Sequence, residues 1–146
     1  MGLQEWLQNG WLRSHRSSRE EIRNLLSISD RDLKDCQARN ISNDNRFTMA
    51  YNAALQAATA ALAASGYRVE RGGQHHYRTL DSLELTIKAA PHLISRLNVL
   101  RKKRSFNLYE MEGAVSDSDL KEMIQVATDL RRNVEKWLRQ NYSELL

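Results

Sequence analysis

The sequence predicts an all-α protein, an up-and-down bundle of four to five core helices with short N-terminal helices before them. Three observations predict this fold. Apolar residues recur at helical spacing, helix-capping patterns recur along the chain, and strand signals are almost absent. Runs of Val, Ile, Thr or aromatic residues are few. We expect a single domain over residues 1–146, because nothing in the composition marks a linker or a repeat.

The N-terminal region predicts short helices. Trp6, Leu7 and Trp11 share one face with Leu3 at helical offsets, which indicates a first helix ending near Arg13. Residues 1–16 are a candidate docking helix for a partner protein. The alternative, which we prefer, is that the two tryptophans pack against the bundle itself.

Two capping-box patterns follow, and each one predicts the start of a helix. Ser17 with Glu20 predicts the second helix, and Ser29 with Asp32 predicts a separate third helix. Cys36 lies in that third helix and is interpreted as a core residue.

A long alanine-rich helix is predicted from Arg46 to Ser65, with Gly66 closing it as a C-cap. Alanine carries little side-chain bulk, so neighbouring helices can approach this one closely. The segment from Tyr67 to Tyr77 is then interpreted as a polar connector that contains glycines and histidines.

Three more helices are predicted after the connector. The first begins near Thr79, with Asp81 and Glu84 in its first turn, where the positive end of the helix dipole favours acidic residues. Pro91 fits the first turn of the next helix, because its missing N–H is not needed there. Ser116, with Asp119 three residues later, predicts the start of the last helix.

Composition narrows the classes of function. The chain has 146 residues, 41% hydrophobic and 27% charged, with a net charge of +4. These values are typical of a globular soluble protein. No apolar stretch approaches the roughly 20 residues of a membrane span. The lone Cys36 has no disulfide partner, which favours a reducing compartment. We therefore expect a cytoplasmic protein.

Cofactor and metal sites are not indicated. No set of His, Cys, Asp and Glu has metal-ligand spacing. The Gly72-Gly73 pair lacks the lysine and the strand context of a phosphate-binding glycine loop. We therefore expect neither a cofactor nor a metal.

A concentrated basic run is the main functional signal. Five basic and no acidic residues lie between Arg96 and Arg104, and the run is followed by Asn107 and Tyr109. Concentrated positive charge attracts polyanions such as RNA. The predicted nucleic-acid-binding residues are Arg101, Lys102, Lys103 and Asn107. The competing interpretation is a solvated helix end whose cations oppose the helix dipole.

The chain resembles the HEPN domains of prokaryotic toxin-antitoxin and defence systems. The similarity covers most of the sequence and depends on the order and separation of five short features. These are Asp32-Leu33 with Ala38, the stretch Ala50-Tyr51-Asn52-Ala53-Ala54, the stretch Ala64-Ser65-Gly66-Tyr67, the pair His75-His76, and Arg104 followed at a fixed distance by Tyr109.

The resemblance implies a helical bundle that forms a two-fold dimer. It also implies metal-independent endoribonuclease activity held in check by a nucleotidyltransferase antitoxin. In catalytic members an arginine is directly followed by a polar residue, and a histidine comes several positions after that arginine. Here Arg104 and Ser105 are followed by Tyr109 in the place of that histidine. The predicted catalytic residues are Arg104, Tyr109 and His76.

Each predicted catalytic residue suits a particular task. Arg104 can grip two phosphate oxygens with a fork of donors that stays charged. A phenol is a weak general base near neutral pH, so Tyr109 is better suited to proton donation or to phosphate anchoring. His76, or its neighbour His75, can supply an imidazole that titrates near neutrality. Tyr109 is alternatively a core aromatic residue, and the histidines are alternatively surface or capping residues.

Helical geometry limits how Arg104 and Tyr109 can act together. An offset of five residues places Arg104 and Tyr109 roughly 140° apart around a regular helix. We therefore expect either a break in the helix near Ser105 to Asn107 or completion of the site by the second subunit of a homodimer.

Two hypotheses from different classes follow. In the first, the protein is an RNA- or nucleotide-interacting protein of a toxin-antitoxin or defence system that cleaves RNA without a metal. In the second, it is a non-catalytic helical module that binds RNA or a nucleotide or partners a nucleotidyltransferase, with Tyr109 as the acceptor of a transferred nucleotide.

Overall fold

The computed structural model describes residues 1–72 and 74–146 and has a helical bundle built around one central helix. The predicted all-α class is confirmed, since the fold is 70% helical. Within the described residues there are six α-helices and one two-stranded sheet. The helices are α1 (Leu3–Gln8), α2 (Arg19–Asp35), α3 (Asn43–Ala64), α4 (His75–Asp81), α5 (Pro91–Tyr109) and α6 (Asp117–Asn141). The strands are β1 (Leu12–Ser14) and β2 (Tyr67–Val69), and short 3-10 turns cover Ser82–Glu84 and Ser143–Leu145.

The alanine-rich α3 is the centre of the bundle. It packs mainly against α2 on one side and α6 on another, and it also contacts α5 and α4. Eight of its alanines are fully buried, because methyl side chains let the neighbouring backbones approach closely: Ala50, Ala53, Ala54, Ala57, Ala58, Ala60, Ala61 and Ala63. Larger apolar side chains from α2, α5 and α6 fill the remaining space, with Ile22, Leu97 and Leu130 among the most buried.

The structure confirms several helix ends that local sequence signals predicted. Gly66 has a φ of +99°, the left-handed conformation expected at the residue after the end of α3. Pro91 occupies the first turn of α5. The Ser116 hydroxyl accepts a hydrogen bond from the Asp119 N–H and the Asp119 carboxylate accepts one from the Ser116 N–H, so the predicted capping box is present. Cys36 is buried, as expected.

The predicted separate third helix is wrong, because α2 runs unbroken from Arg19 to Asp35. Ser29 is fully buried, and its hydroxyl donates to the carbonyl oxygen of Ala53 at 2.8 Å. It joins α2 to α3 instead of capping a helix. Asp32 acts similarly, since its carboxylate accepts from the Asn52 amide at 2.6 Å. The predicted cap at Ser17 is also displaced by one residue, because the Ser18 hydroxyl accepts from the Glu21 N–H.

The N-terminal region differs from its prediction as well. Helix α1 stops at Gln8, and Gly10, with a φ of +78°, turns the chain into β1. Trp6 is buried and meets Trp11 edge to face with ring centroids 5.6 Å apart. The two tryptophans therefore pack on the protein itself, in a small second apolar cluster with Leu12, Leu62 and Val69.

The predicted connector from Tyr67 to Tyr77 contains structure at both ends. Its first three residues form β2, antiparallel to β1, and α4 begins at His75 instead of near Thr79. Asp81 consequently ends α4, and Glu84 lies in the following 3-10 turn, so neither residue is in the first turn of an α-helix. Gly73, part of the same prediction, lies outside the described residues. No helix in the described part of the chain is both long and apolar enough to cross a membrane.

Candidate functional site

A pocket of about 320 Å³ lies between α4 and α5 and collects three of the seven predicted site residues. Arg101 and Arg104 come from α5, one turn apart, and His76 comes from the first turn of α4. The lining is cationic or neutral throughout: Gly72, His75, His76, Tyr77, Arg101, Arg104 and Ser105. We call this the Arg101–Arg104 pocket.

The two guanidinium groups are positioned by aromatic rings. The guanidinium carbon of Arg104 lies 5.2 Å from the centroid of the Tyr51 ring, and that of Arg101 lies 5.5 Å from the Tyr77 ring. The faces of these rings attract cations. The Arg101 Nε also donates to the Asn98 side-chain oxygen at 3.2 Å. Both groups are therefore held at the pocket without being neutralised.

The charge of the pocket is uncompensated. Among residues 1–72 and 74–146, neither Arg101 nor Arg104 has a carboxylate oxygen within 4.0 Å. The Nε atom of Arg104 is buried and finds no acceptor in that part of the chain. Two uncompensated guanidinium groups facing one recess favour the binding of an anion, and guanidinium geometry matches phosphate oxygens.

The other cations of the basic run are paired or exposed. Lys103 forms a salt bridge with Asp119 at 3.0 Å, and Arg96 forms one with Glu122, so both cations bind α6. The hydrogen bond from Lys103 is the main cause of the lowered pKa of Asp119. Lys102 is exposed. The helix-end interpretation is therefore wrong, because α5 continues to Tyr109 and its last turn contains no basic residue.

His76 is bound to a tyrosine that the sequence analysis did not select as a site residue. The Tyr51 hydroxyl and the His76 Nδ1 are 3.1 Å apart. Burial raises the pKa of Tyr51 to about 12, against the opposing effect of Arg104 and Arg101, so the phenol keeps its proton. Because Tyr51 is 1% exposed, its O–H needs an acceptor, and His76 Nδ1 is the acceptor the described residues provide. The neutral ring then carries its proton on Nε2.

Tyr51 could have been selected from one signal. It is the single aromatic residue within the alanine run of α3, and a hydroxyl on a buried helix requires a polar partner. The identity of that partner was not readable from the sequence, because His76 is 25 residues away.

The two histidines of the pocket are both shifted toward the neutral form. Burial is the main cause of the lowered pKa of His76, and the positive charges of Arg104, His75 and Arg101 add to it. Burial also lowers the pKa of His75, followed by the charges of Arg68 and Arg13. The two rings lie edge to face with centroids 6.0 Å apart.

These shifts predict an acid-sensitive fold. A histidine with a folded-state pKa below its unfolded value binds fewer protons when folded, so its stabilising contribution is complete above about pH 6.5 and is lost as the pH falls. We expect His76→Asn, which keeps an acceptor for the Tyr51 hydroxyl, to flatten the fall in the free energy of unfolding below about pH 6.5. Urea denaturation at a series of pH values measures this. His92→Asn, which removes an exposed histidine, is the matched control, and an equal flattening there would contradict the assignment to the pocket.

The structure separates Tyr109 from Arg104. Helix α5 continues through Tyr109, so the expected break near Ser105 to Asn107 is wrong, and the two side chains point in different directions from one regular helix. Tyr109 is 76% exposed, which also excludes the core interpretation within this chain. Completion of the pair by a second subunit stays a prediction.

Asn107 does not face the solvent with the cations. It is 6% exposed, and in the amide orientation that satisfies its hydrogen bonds the nitrogen donates to Asp44 Oδ1 at 2.9 Å. Asp44 Oδ2 also accepts from the Gly113 N–H at 2.7 Å. Asn107 therefore fixes the end of α5 to the start of α3, and its prediction as a nucleic-acid-binding residue is wrong because the side chain is occupied.

The described residues contain no group of three or more His, Cys, Asp or Glu side chains that could hold a metal ion. Comparison with known proteins found no matching family model, curated protein or solved structure.

Proposed function

We propose that this protein is a HEPN-like RNA-interacting protein of a toxin-antitoxin or defence system, and that it binds an RNA phosphate in the Arg101–Arg104 pocket. One observation carries the proposal. Two guanidinium groups face a single recess from which, among the described residues, carboxylates are absent. A bound phosphate supplies the missing negative charge.

Each pocket residue has a role in this binding. Arg104 and Arg101 contact the phosphate oxygens, and the Nε2–H of His76 adds a neutral donor on the α4 side. Tyr51 orients His76 through its hydroxyl and steadies Arg104 through its ring. Lys102, exposed on the outer surface of α5, adds charge for a neighbouring phosphate.

Binding fits the geometry better than cleavage by His76. A general base must accept a proton through an unoccupied nitrogen, and the Tyr51 hydroxyl already occupies Nδ1 of His76. His75, and not His76, supports the alternative function, which is a metal-independent endoribonuclease. This residue lines the pocket, and within the described residues its ring makes no hydrogen bond. In such an enzyme His75 would take the proton of the 2′-hydroxyl beside a phosphate held by Arg104.

RNA binding and RNA cleavage are tested in one experiment. The purified protein is incubated with total RNA and with transfer RNA in chelator, and both mobility shift and strand scission are recorded. We expect a shift that weakens steeply with added salt, because phosphate contacts release counterions, and no scission. Scission that is abolished by His75→Asn and retained by His76→Asn would establish the enzyme instead. If neither a shift nor scission is observed, both functions are contradicted.

The partner predictions belong to the same proposal. The exposed apolar or aromatic side chains on and just after α5 include Val99, Phe106, Tyr109 and Met111, which are 47% to 76% exposed. Exposed apolar surface of this kind favours association, here with a second copy of the chain.

The exposure of Tyr109 also suits the non-catalytic alternative, in which a partner nucleotidyltransferase modifies its phenol. Light scattering distinguishes monomer from dimer, and intact mass after co-expression with such an enzyme reveals an adduct.

A further inference from the structure

The outer face of the β1–β2 ribbon carries two arginines side by side. The strands are antiparallel, and Arg13 is the register partner of Arg68. The adjacent pair, Leu12 opposite Val69, points inward and is buried, so the arginine pair points outward. Like charges directly opposite each other in an antiparallel pair destabilise the sheet. The two three-residue strands therefore contain a pair of like charges that weakens their pairing.

This pair is poorly neutralised. The Arg13 guanidinium has one carboxylate nearby, that of Glu70 at 3.8 Å, and both side chains are more than 40% exposed. In residues 1–72 and 74–146, no carboxylate oxygen lies within 4.0 Å of Arg68. An exposed ion pair of this length contributes little, so the outer face of the ribbon is cationic.

Helix α4 connects this face with the Arg101–Arg104 pocket. Arg78 of α4 stacks on the Trp11 ring, just before β1, with its guanidinium carbon 3.8 Å from the ring centroid. His75 lies one turn earlier on the same face of α4 and also lines the pocket. The charges of Arg68 and Arg13 reach His75, where they help to lower its pKa after burial. Positive potential therefore extends from the pocket across α4 to the ribbon.

We propose that Arg13 and Arg68 form a second phosphate-binding subsite, which holds the backbone of a single-stranded RNA that has another of its phosphates in the Arg101–Arg104 pocket. This inference rests on the proposed function and specifies its ligand as a strand and not a mononucleotide. A mononucleotide reaches one cationic site, whereas a strand places phosphates at both. A flexible single strand can also bend from a recessed pocket over α4, which a stiff duplex cannot do. The bound phosphate relieves the repulsion between the two arginines.

Fluorescence anisotropy with two labelled probes tests the subsite. One probe is an RNA of about twelve nucleotides, within the site sizes of single-strand binders, and the other is a dinucleotide. The test variant combines Arg13→Gln with Arg68→Gln. We expect it to bind the long RNA several-fold more weakly and to lower the slope of log affinity against log salt by about 0.7, the contribution of one neutralised phosphate on a single strand. Dinucleotide binding should stay as in the parent protein.

A matched control removes the same charge elsewhere. Arg132 and Arg139 on α6 are 67% and 68% exposed and pair with Asp129 and Glu135. Arg132→Gln combined with Arg139→Gln should keep the parent affinity and salt slope. The ribbon variant should melt no lower than the parent, because it removes a repulsion, and this separates lost binding from lost folding.

Three outcomes overturn the inference, and they differ in what they say of the proposed function. In the first outcome, Arg104→Gln weakens binding of the long RNA, but the ribbon variant keeps the parent affinity and slope. The pocket then binds RNA without the subsite. If the parent protein binds neither probe at any salt concentration, the proposed function fails together with the subsite. Equal losses in the ribbon and α6 variants would also reject the subsite, because net charge alone would then explain binding.

Discussion

Replacing Arg104 by glutamine is expected to weaken RNA binding roughly ten- to a hundredfold. The side chain contributes a charged hydrogen-bond donor pair to the pocket, and hydrogen bonds to charged groups contribute about 1.5–3 kcal/mol, where about 1.4 kcal/mol corresponds to tenfold in affinity. Glutamine removes the charge and the fork of donors. Anisotropy of a labelled RNA at constant ionic strength measures the loss.

The neighbouring Lys103→Gln variant is the matched control, since it removes one positive charge from the same helix. Its amine is already bound to Asp119 at 3.0 Å, so we expect a much smaller loss of affinity. Arg104→Lys should fall between the parent and Arg104→Gln, because it keeps the charge and loses the planar fork. Equal losses for Lys103→Gln and Arg104→Gln would show that general charge, and not the pocket, binds RNA.

The same substitution should leave the fold at least as stable in phosphate-free buffer. In the free protein the Nε of Arg104 is buried without an acceptor among the described residues, and its charge faces that of Arg101. Such groups cost stability. Binding sites commonly keep features of this kind at the expense of stability.

Local signals predicted the helical class and several helix ends. The Ser116 capping box, the Gly66 C-cap and the position of Pro91 depend on residues a few positions apart, so a sequence pattern contains all the information they need. Ser29 shows where such patterns fail. Its spacing to Asp32 is that of a capping box, but its hydroxyl bonds the carbonyl of Ala53, which lies 24 residues later.

The β-ribbon was not predictable for the same reason. Each strand has three residues, too few for a visible alternation, and Leu12 pairs with Val69 across more than fifty intervening residues. The register that places Arg13 opposite Arg68 is a tertiary property. The sequence showed both arginines but could not show that they are neighbours.

The candidate site was predicted in part. Charge concentration directed attention to the run that holds Arg101 and Arg104, which line the pocket, since clustering of cations is visible in one dimension. It could not separate these two residues from Lys103, whose partner lies on α6, or from Asn107, which binds Asp44 on α3. His76 was selected without Tyr51, although the two side chains form one unit.

The substitution Ala57→Leu is expected to destabilise the protein by about 1–3 kcal/mol. Ala57 is fully buried and lies one turn after Ala53, whose carbonyl accepts the Ser29 hydroxyl of α2. A leucine here places three additional carbon atoms between α3 and α2. The helices must separate, and the hydrogen bond between Ser29 and Ala53 must lengthen. Thermal unfolding should shift downward by about 2–4 °C for each kcal/mol lost.

Asn24→Leu adds a leucine to the exposed surface of α2 and is the matched control for the new residue itself. Surface substitutions away from special contacts change stability by about 0.5 kcal/mol or less, so its melting temperature should stay close to that of the parent. If Ala57→Leu melts at the parent temperature as well, the contact between α2 and α3 is loose enough to accept a larger side chain. Close approach to the alanine helix would then not be what holds the bundle together, and the position of Tyr51 beneath the pocket would need another explanation.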